Sequence, residues 1–270
     1  MRGVQRLLRP AAIAATASAA TASVSGLART EEAAPPRARR PRVLVTGFHD
    51  WTELDGNIWR CRDNPSCRLL LGPPSTSPPL ARDGPLPRAL AAAAVPADFC
   101  YITLPVIWNT ASGLDLGAFE IVIHLGLGVY DSHHTILLER DAYNMRRGTD
   151  ALSHAPPGQG LEDGAPQVQE CSPSLAVQHA AVARDGELPG GFTVRVAPAR
   201  TANSYICNAT HWRALKAERE LPHPRRPRAG YFVHVPYAAE GDADHAALAH
   251  AVAVLVGRIV EAERALQPPA

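Results

Sequence analysis

The chain has 270 residues, 46% of them hydrophobic and 20% charged, with a formal net charge of +1 at pH 7; this allows one large folded domain with an ordinary core. The first 40 residues hold seven arginines against Glu31 and Glu32, a net of +5 that leaves −4 on the remainder, and the body shows no basic stripe, which excludes nucleic acid as its partner. No run of eighteen or more strongly apolar residues is evident, so no membrane partner is expected, and five cysteines without a close CxxC pair argue against a disulfide framework and a zinc site, which favours a reducing compartment.

In chain order, the head is rich in Arg, Ala, Ser and Thr and free of acids through Thr30, the composition of a disordered extension or of a targeting segment. The expected boundary puts this extension at residues 1–40 and a single catalytic domain at 41–270. The run from Arg42 to Phe48, with Gly47 near its end, reads as a buried first strand opening an α/β sheet. Cys61 to Leu71 reads as a short helix with Asn64 as cap and Pro65 in its first turn, and Gly72 to Pro87 as a surface loop.

Phe99–Leu104 and Phe119–Leu125 predict two further strands, the second followed by a glycine turn at Gly126 and Gly128. That pair lacks the third glycine and the acidic partner of a dinucleotide fingerprint, so no nucleotide is expected. Residues 148–164 form an irregular polar segment, an active-site flap or an insertion. Apolar spacing predicts helices over Ser174–Arg184, Asn208–Glu220 and Ala243–Ala265. Strands alternating with helices imply a three-layer α/β/α sandwich around a central mixed, mostly parallel sheet, with functional residues gathered beyond the strand ends.

The candidate chemistry lies in the last third of the chain. Phe192–Pro198 alternates like a half-buried strand, a turn follows, and Cys207 falls in or beside the first turn of the next helix, where free amides and the helix dipole would lower a thiol pKa. A lone cysteine is more often an inert core residue, and a lone strand histidine more often structural. Here, however, His234 stands on the next strand, in Gly230–Tyr237, one helix and one strand after Cys207; thiol catalysis needs both groups. An active imidazole also needs an orienting group. Glu139, in an apolar run where an unpaired carboxylate is costly, is the first candidate, with Asp131 and Asp141 as rivals and an ion pair to Arg140 as the structural alternative. His133 and His134 lack further ligands at a useful spacing and read as a solvated loop, with no metal expected.

These blocks together resemble the pyroglutamyl peptidase I (pyrrolidone carboxyl peptidase) family. The resemblance rests on Val-Leu-Val-Thr-Gly-Phe48, Asn64-Pro65-Ser66, the glycines after Leu125, Glu139 to Asn144, Ser204-Tyr-Ile-Cys207-Asn208 and Gly230 to Tyr237, in the family's order over residues 42 to about 265. It implies the α/β/α fold and a Glu139–Cys207–His234 triad. It also implies removal of an N-terminal pyroglutamyl residue from peptides through an acyl-enzyme, without a cofactor. Two departures stand out. An insertion separates Phe48 from Asn64, and the family's Gly-Gln-Ala-Gly-Gly-Arg turn is here Gly126 to His134, without its glutamine, whose role would pass to backbone amides. Phe48 and Trp51 are the expected walls of the pocket for the flat, uncharged lactam. Peptides bearing N-terminal pyroglutamate are the implied partners, and a homo-oligomer is compatible with the sequence. A cytoplasmic location is expected, or a mitochondrial one if the head is a transit peptide. The altered turn also leaves open a catalytically weak relative that binds modified termini, or a thiol amidase for another small acyl group.

Overall fold

The computed structural model describes residues 39–49, 51–52, 58–59, 64–72, 83–129, 132–184, 186–198, 204–222, 227, 229–237 and 242–266. The extension expected over residues 1–40 therefore lies outside the described residues except at its end. Strand β1 (Arg42–Phe48) opens the domain and a small hairpin follows, β2 (Trp51–Thr52) with β3 (Ile58–Trp59). Then come α1 (Pro65–Leu71), α2 (Pro85–Ala92), β4 (Asp98–Leu104), β5 (Ile121–Val129), β6 (Thr135–Glu139), β7 (Asp141–Tyr143) and β8 (Val168–Glu170). The chain continues through α3 (Pro173–Ala183), β9 (Glu187–Leu188), β10 (Phe192–Ala197), α4 (Ile206–Glu220), β11 (Ala229–Pro236) and α5 (Asp242–Ala265).

Seven strands form one sheet in the order β4-β1-β5-β11-β6-β10-β9. Four of its six pairings are parallel; β11 with β6 and β10 with β9 are antiparallel. The sheet is thus mixed and mostly parallel, as expected. Every residue of β11 and all but the first of β1 are buried, which is why both read as nearly continuous apolar runs: a parallel strand covered on both faces has no solvent side to alternate with. Successive β11 side chains serve opposite layers. The Tyr231 hydroxyl lies 3.1 Å from both Gln178 Oε1 of α3 and Glu263 Oε1 of α5, sharing its one proton between them, whereas Phe232 lies against His211 of α4, ring centroids 5.7 Å apart. Helices α1, α2, α3 and α5 pack on one another, while α4 packs on β5, β7, β8 and β11.

Three expectations are corrected here. Helix α2 begins inside the expected surface loop, because Pro85 occupies its first turn, where a missing N–H costs nothing. Helix α5 is long and apolar enough over Asp244–Ala265 to cross a bilayer by length and composition; here Leu248, Val252, Leu255, Val256 and Ile259 are fully buried in the main core. The cysteines are not all reduced: Cys67 is disulfide-bonded, and Cys100, Cys171 and Cys207 are free. An odd count rules out complete pairing, not a single bond.

The connection from β1 to α1 sets one wall of the site region. Asn64 Nδ2 donates to the carbonyls of Phe48 (3.0 Å) and His49 (3.1 Å), Asn64 Oδ1 accepts from Ser66 N (3.1 Å), and Phe48 N donates to Ser66 Oγ (3.1 Å). One asparagine thus caps α1 and closes the end of β1. The irregular segment after β7 is pinned in the same way: Asn144 Oδ1 accepts from Leu161 N (2.7 Å) and Glu162 N (2.9 Å), and its amide donates to Glu162 O (2.8 Å).

Candidate active site

Strand β5 carries the most specific feature of the site. It runs through Val129, so Gly126 and Gly128 are strand residues and not a turn, and at spacing two they point to the same face. A Cβ on Gly126 would come within 2.9 Å of the Phe232 ring and 3.1 Å of Cys207 Sγ. One on Gly128 would come within 2.2 Å of His234 Cδ2 and 2.7 Å of its Nε2. Two missing side chains are therefore what lets the thiol of α4 and the imidazole of β11 settle onto neighbouring positions of one strand. Glycine within a strand signals such a close approach.

His234 sits opposite Gly126 in the β11–β5 register, and two residues back Phe232 sits opposite Glu139 across the antiparallel β11–β6 pair. Glu139 and His234 therefore lie diagonally across one ladder, and Glu139 Oε1 is 2.8 Å from His234 Nδ1 with both side chains 5% exposed. A carboxylate has only acceptors to offer, so Nδ1 must carry the proton and Nε2 is the nitrogen that faces Gly128. Arg140 does not compete for Glu139: its guanidinium turns to Asp141, Nε–Oδ2 2.9 Å and Nη2–Oδ2 2.8 Å. That pairing also occupies Asp141 as a rival orienting group; Asp131 lies outside the described residues.

Cys207 is the second residue of α4, so the first-turn placement holds. Its expected electrostatics do not. Burial, then the negative charge of Glu139, push the thiol up to about 12, and the nearby backbone amide opposes this only in part. Although the residue as a whole is partly exposed, its sulfur rests in apolar surroundings beside Phe232, where an anion is poorly solvated. At neutral pH Cys207 is a protonated thiol.

Asn208, the next residue, stands in the sequence only as part of the Ser204–Asn208 block, with nothing local to mark its role. It donates to Tyr143 O (2.8 Å) and Met145 O (3.1 Å) and accepts from Tyr143 N (2.8 Å). This amide makes two bonds to β7, the strand that follows Glu139, and a third to Met145 just beyond it, and so fixes the helix bearing Cys207 against the chain bearing the carboxylate. Phe48 is 3% exposed and packs with Leu104, Trp108, Leu127, Ile206 and Phe232, the cluster on which Cys207 rests. It therefore belongs to the buried cluster against which Cys207 packs. Of Trp51 only the backbone is described, paired with Trp59 across the β2–β3 hairpin, so its expected wall position lies outside the described side chains. His133 Nδ1 is 3.0 Å from the Tyr237 carbonyl, and among the described residues no group of three or more His, Cys, Asp or Glu is placed to hold a metal ion.

No protein-family model matches this sequence, and no curated protein matches it. Solved structures do. Pyroglutamyl peptidase I from Bacillus amyloliquefaciens aligns with a TM-score of 0.54 at 20% identity, covering 83% of this chain and 96% of that one. Pyrrolidone carboxyl peptidase from Fervidobacterium islandicum AW-1 gives 0.56 at 20% identity, covering 82% and 99%, and a mutant pyrrolidone carboxyl peptidase from Pyrococcus furiosus gives 0.54 at 20%, covering 82% and 98%. At this identity the likeness concerns architecture: the chain has the α/β fold of the pyroglutamyl peptidase I structures over nearly their whole length.

Proposed function

We propose that the chain is a cysteine peptidase that removes an N-terminal pyroglutamyl residue from peptides, with Cys207 as nucleophile, His234 as base and Glu139 as the group that orients and charge-balances the imidazole. The observation that carries this reading is the buried 2.8 Å contact between Glu139 Oε1 and His234 Nδ1, on the strand face where Gly126 and Gly128 make room for Cys207 and His234. A carboxylate, an imidazole and a thiol in that order are the parts of an acyl-transfer site. The shared fold is consistent with it.

Because the thiol is protonated near neutral pH, the attack is general-base-assisted. As Sγ adds to the pyroglutamyl carbonyl, its proton passes to His234 Nε2, and Glu139 balances the imidazolium across Nδ1. The tetrahedral oxyanion meets the first-turn amides of α4, which have no partner inside the helix; such donors contribute about 3 to 4 kcal/mol each. Collapse breaks the C–N bond, and the leaving amine takes the proton back from Nε2. Water, deprotonated by the same nitrogen, then hydrolyses the thioester. Phe48, Leu127, Ile206 and Phe232 form a buried cluster against which Cys207 packs; as an apolar backing it would suit an uncharged lactam and disfavour a charged amino terminus, and Trp51 would form the wall in contact with the ring. The experiment is hydrolysis of a pyroglutamyl arylamide by the purified chain, compared with a prolyl arylamide and repeated after thiol alkylation. The proposal requires turnover of the first only, lost on alkylation; equal turnover of both, or none of either, sinks it.

A further inference from the structure

A second site lies along α4, on the stripe Ile206, Thr210, Arg213, which repeats at helical spacing. It is a cleft of about 300 Å³ between α4, the 3₁₀ turn Thr110–Gly113 and the segment around Arg146 and Leu161, a size that suits a small ligand group. Its polar lining is unusual in one respect. Thr110 Oγ1, Arg146 Nε and Arg213 Nε are all buried with no hydrogen-bond partner among the described residues, although buried donors are almost always satisfied. The two guanidinium groups are already fixed in orientation. Arg146 Nη1 donates to Gly160 O (2.7 Å), Arg146 Nη2 to Leu161 O (3.4 Å), and Arg213 Nη2 to Ser112 O (2.9 Å).

The charges decide what such a cleft takes. Lys216 is neutralised within the lining, 2.6 Å from Glu162 Oε1 and 3.5 Å from Glu220 Oε2. Arg146 and Arg213 are hydrogen-bonded only to backbone carbonyls, and among the described residues no carboxylate lies at ion-pair distance from either, Asp163 acting on Arg146 only at longer range. Two preset cations and a hydroxyl, each with a donor to spare, match an oxyanion better than a neutral carbonyl, because guanidinium groups bind carboxylate and phosphate oxygens through charge-assisted bonds.

We infer that the cleft formed by Thr110, Arg146 and Arg213 is an oxyanion-binding site that takes a carboxylate or phosphate group. Two sources could supply it. One is a free anion. The other is a carboxylate of the peptide being cleaved: Ile206, at the near end of the cleft, adjoins Cys207, and the seven residues to Arg213 rise about 10 Å along the helix, a span that an extended chain covers in about three residues. The peptide source rests on the function proposed above; the free-anion source does not.

The test has two arms, both at constant ionic strength. In the first, inorganic phosphate is titrated calorimetrically into the wild-type chain, Arg213→Gln and Thr110→Val. In the second, a pyroglutamyl tetrapeptide with a free terminal carboxylate is compared with its amide by KM in the same proteins. Loss of one charge-assisted bond should weaken binding about tenfold. Saturable phosphate binding that weakens in Arg213→Gln or Thr110→Val, with equal KM for acid and amide, supports the site with a free anion as occupant. A lower KM for the acid that disappears in those variants supports it with the peptide carboxylate as occupant. If no pyroglutamyl peptide is turned over, the function proposed above fails and the phosphate arm alone decides the site. Thr110→Val removes a hydroxyl without touching the guanidinium scaffold, so it keeps the test open should Arg213→Gln fold poorly. Neither saturable phosphate binding nor an acid–amide difference in the wild-type chain, or the same values in every variant, overturns the inference.

Discussion

His234 and three other histidines, His124, His179 and His211, are buried around the central strands β5 and β11, and they differ in one respect that matters. His234 has a carboxylate at 2.8 Å on its Nδ1. His124, His179 and His211 are as deeply buried, but His124 Nε2, His211 Nε2 and both ring nitrogens of His179 have no partner among the described residues. Burial alone holds His124 down to about 3; burial, with Arg140 adding to it and Asp141 opposing it, holds His179 at about 4; and burial pushes His211 well below its ordinary range, helped by the neighbouring histidines. These rings stay neutral and act as packing: His211 and His124 lie 5.7 and 6.1 Å from the Phe232 ring, and His179 lies 5.0 Å from Tyr231. On the proposed mechanism, a histidine in this interior carries a proton through the reaction only where a buried counter-charge stands beside it, and Glu139 stands beside His234.

Removing that counter-charge should have the largest effect. Glu139→Gln keeps a hydrogen-bonding group beside Nδ1 but cannot balance the imidazolium, so kcat for a pyroglutamyl arylamide should fall by about 10² to 10⁴ with residual activity; an unchanged kcat between pH 6 and 9 would move the orienting role elsewhere. Next comes the steric half of the site. Gly128→Ala places a methyl against the His234 ring and should cost about 10² in kcat, the penalty for an ångström-scale misplacement. Gly113→Ala, where a Cβ meets nothing within 4 Å, should leave kcat near wild type, and equal effects of the two would deny the glycine face its role.

The neutral histidines should act on stability instead. Between their unfolded value of 6.5 and the folded values of about 4 and about 3, the unfolded chain binds protons that the native one does not. Stability is therefore complete above about pH 6.5 and is lost as pH falls through that window, by about 1.4 kcal/mol per pH unit per histidine. His179→Phe should make the decline in urea-unfolding free energy between pH 6 and 4 shallower by about that slope; an unchanged slope would mean the ring is not buried neutral. The smallest effect concerns the thiol. With Cys207 held near 12, its alkylation by iodoacetamide should speed up about tenfold per pH unit from 7 to 9, whereas a preformed thiolate would give a flat profile.

Much of this was legible in the sequence because the residues involved sit in strong local patterns. Strand β1, the Asn64 cap, α4 and β11 announced themselves through buried apolar runs and helical spacing, and the order Glu139, Cys207, His234 was readable as chemistry. The glycines were seen but misread. A Gly-x-Gly after an apolar run looks like a turn, and only the register of β5 against β11 reveals that it is a strand face cleared for two side chains. The thiol was misjudged for a related reason: a helix start predicts a lowered pKa, but the apolar packing around Phe232 and the charge of Glu139 come from distant parts of the chain. Arg140, adjacent in sequence, could have paired with Glu139, and Asp141 could have taken its orienting role, until the structure turned Arg140 and Asp141 to each other.

The central claim is that Cys207 is the nucleophile, and one comparison tests it most directly: turnover of a pyroglutamyl arylamide by the wild-type chain and by Cys207→Ser, with folding of the variant checked by its melting transition. The account predicts a loss of at least 10³ in kcat in a variant that still folds. A folded Cys207→Ser that keeps more than about a tenth of wild-type turnover would contradict it, since losing an essential member of such a triad removes several powers of ten.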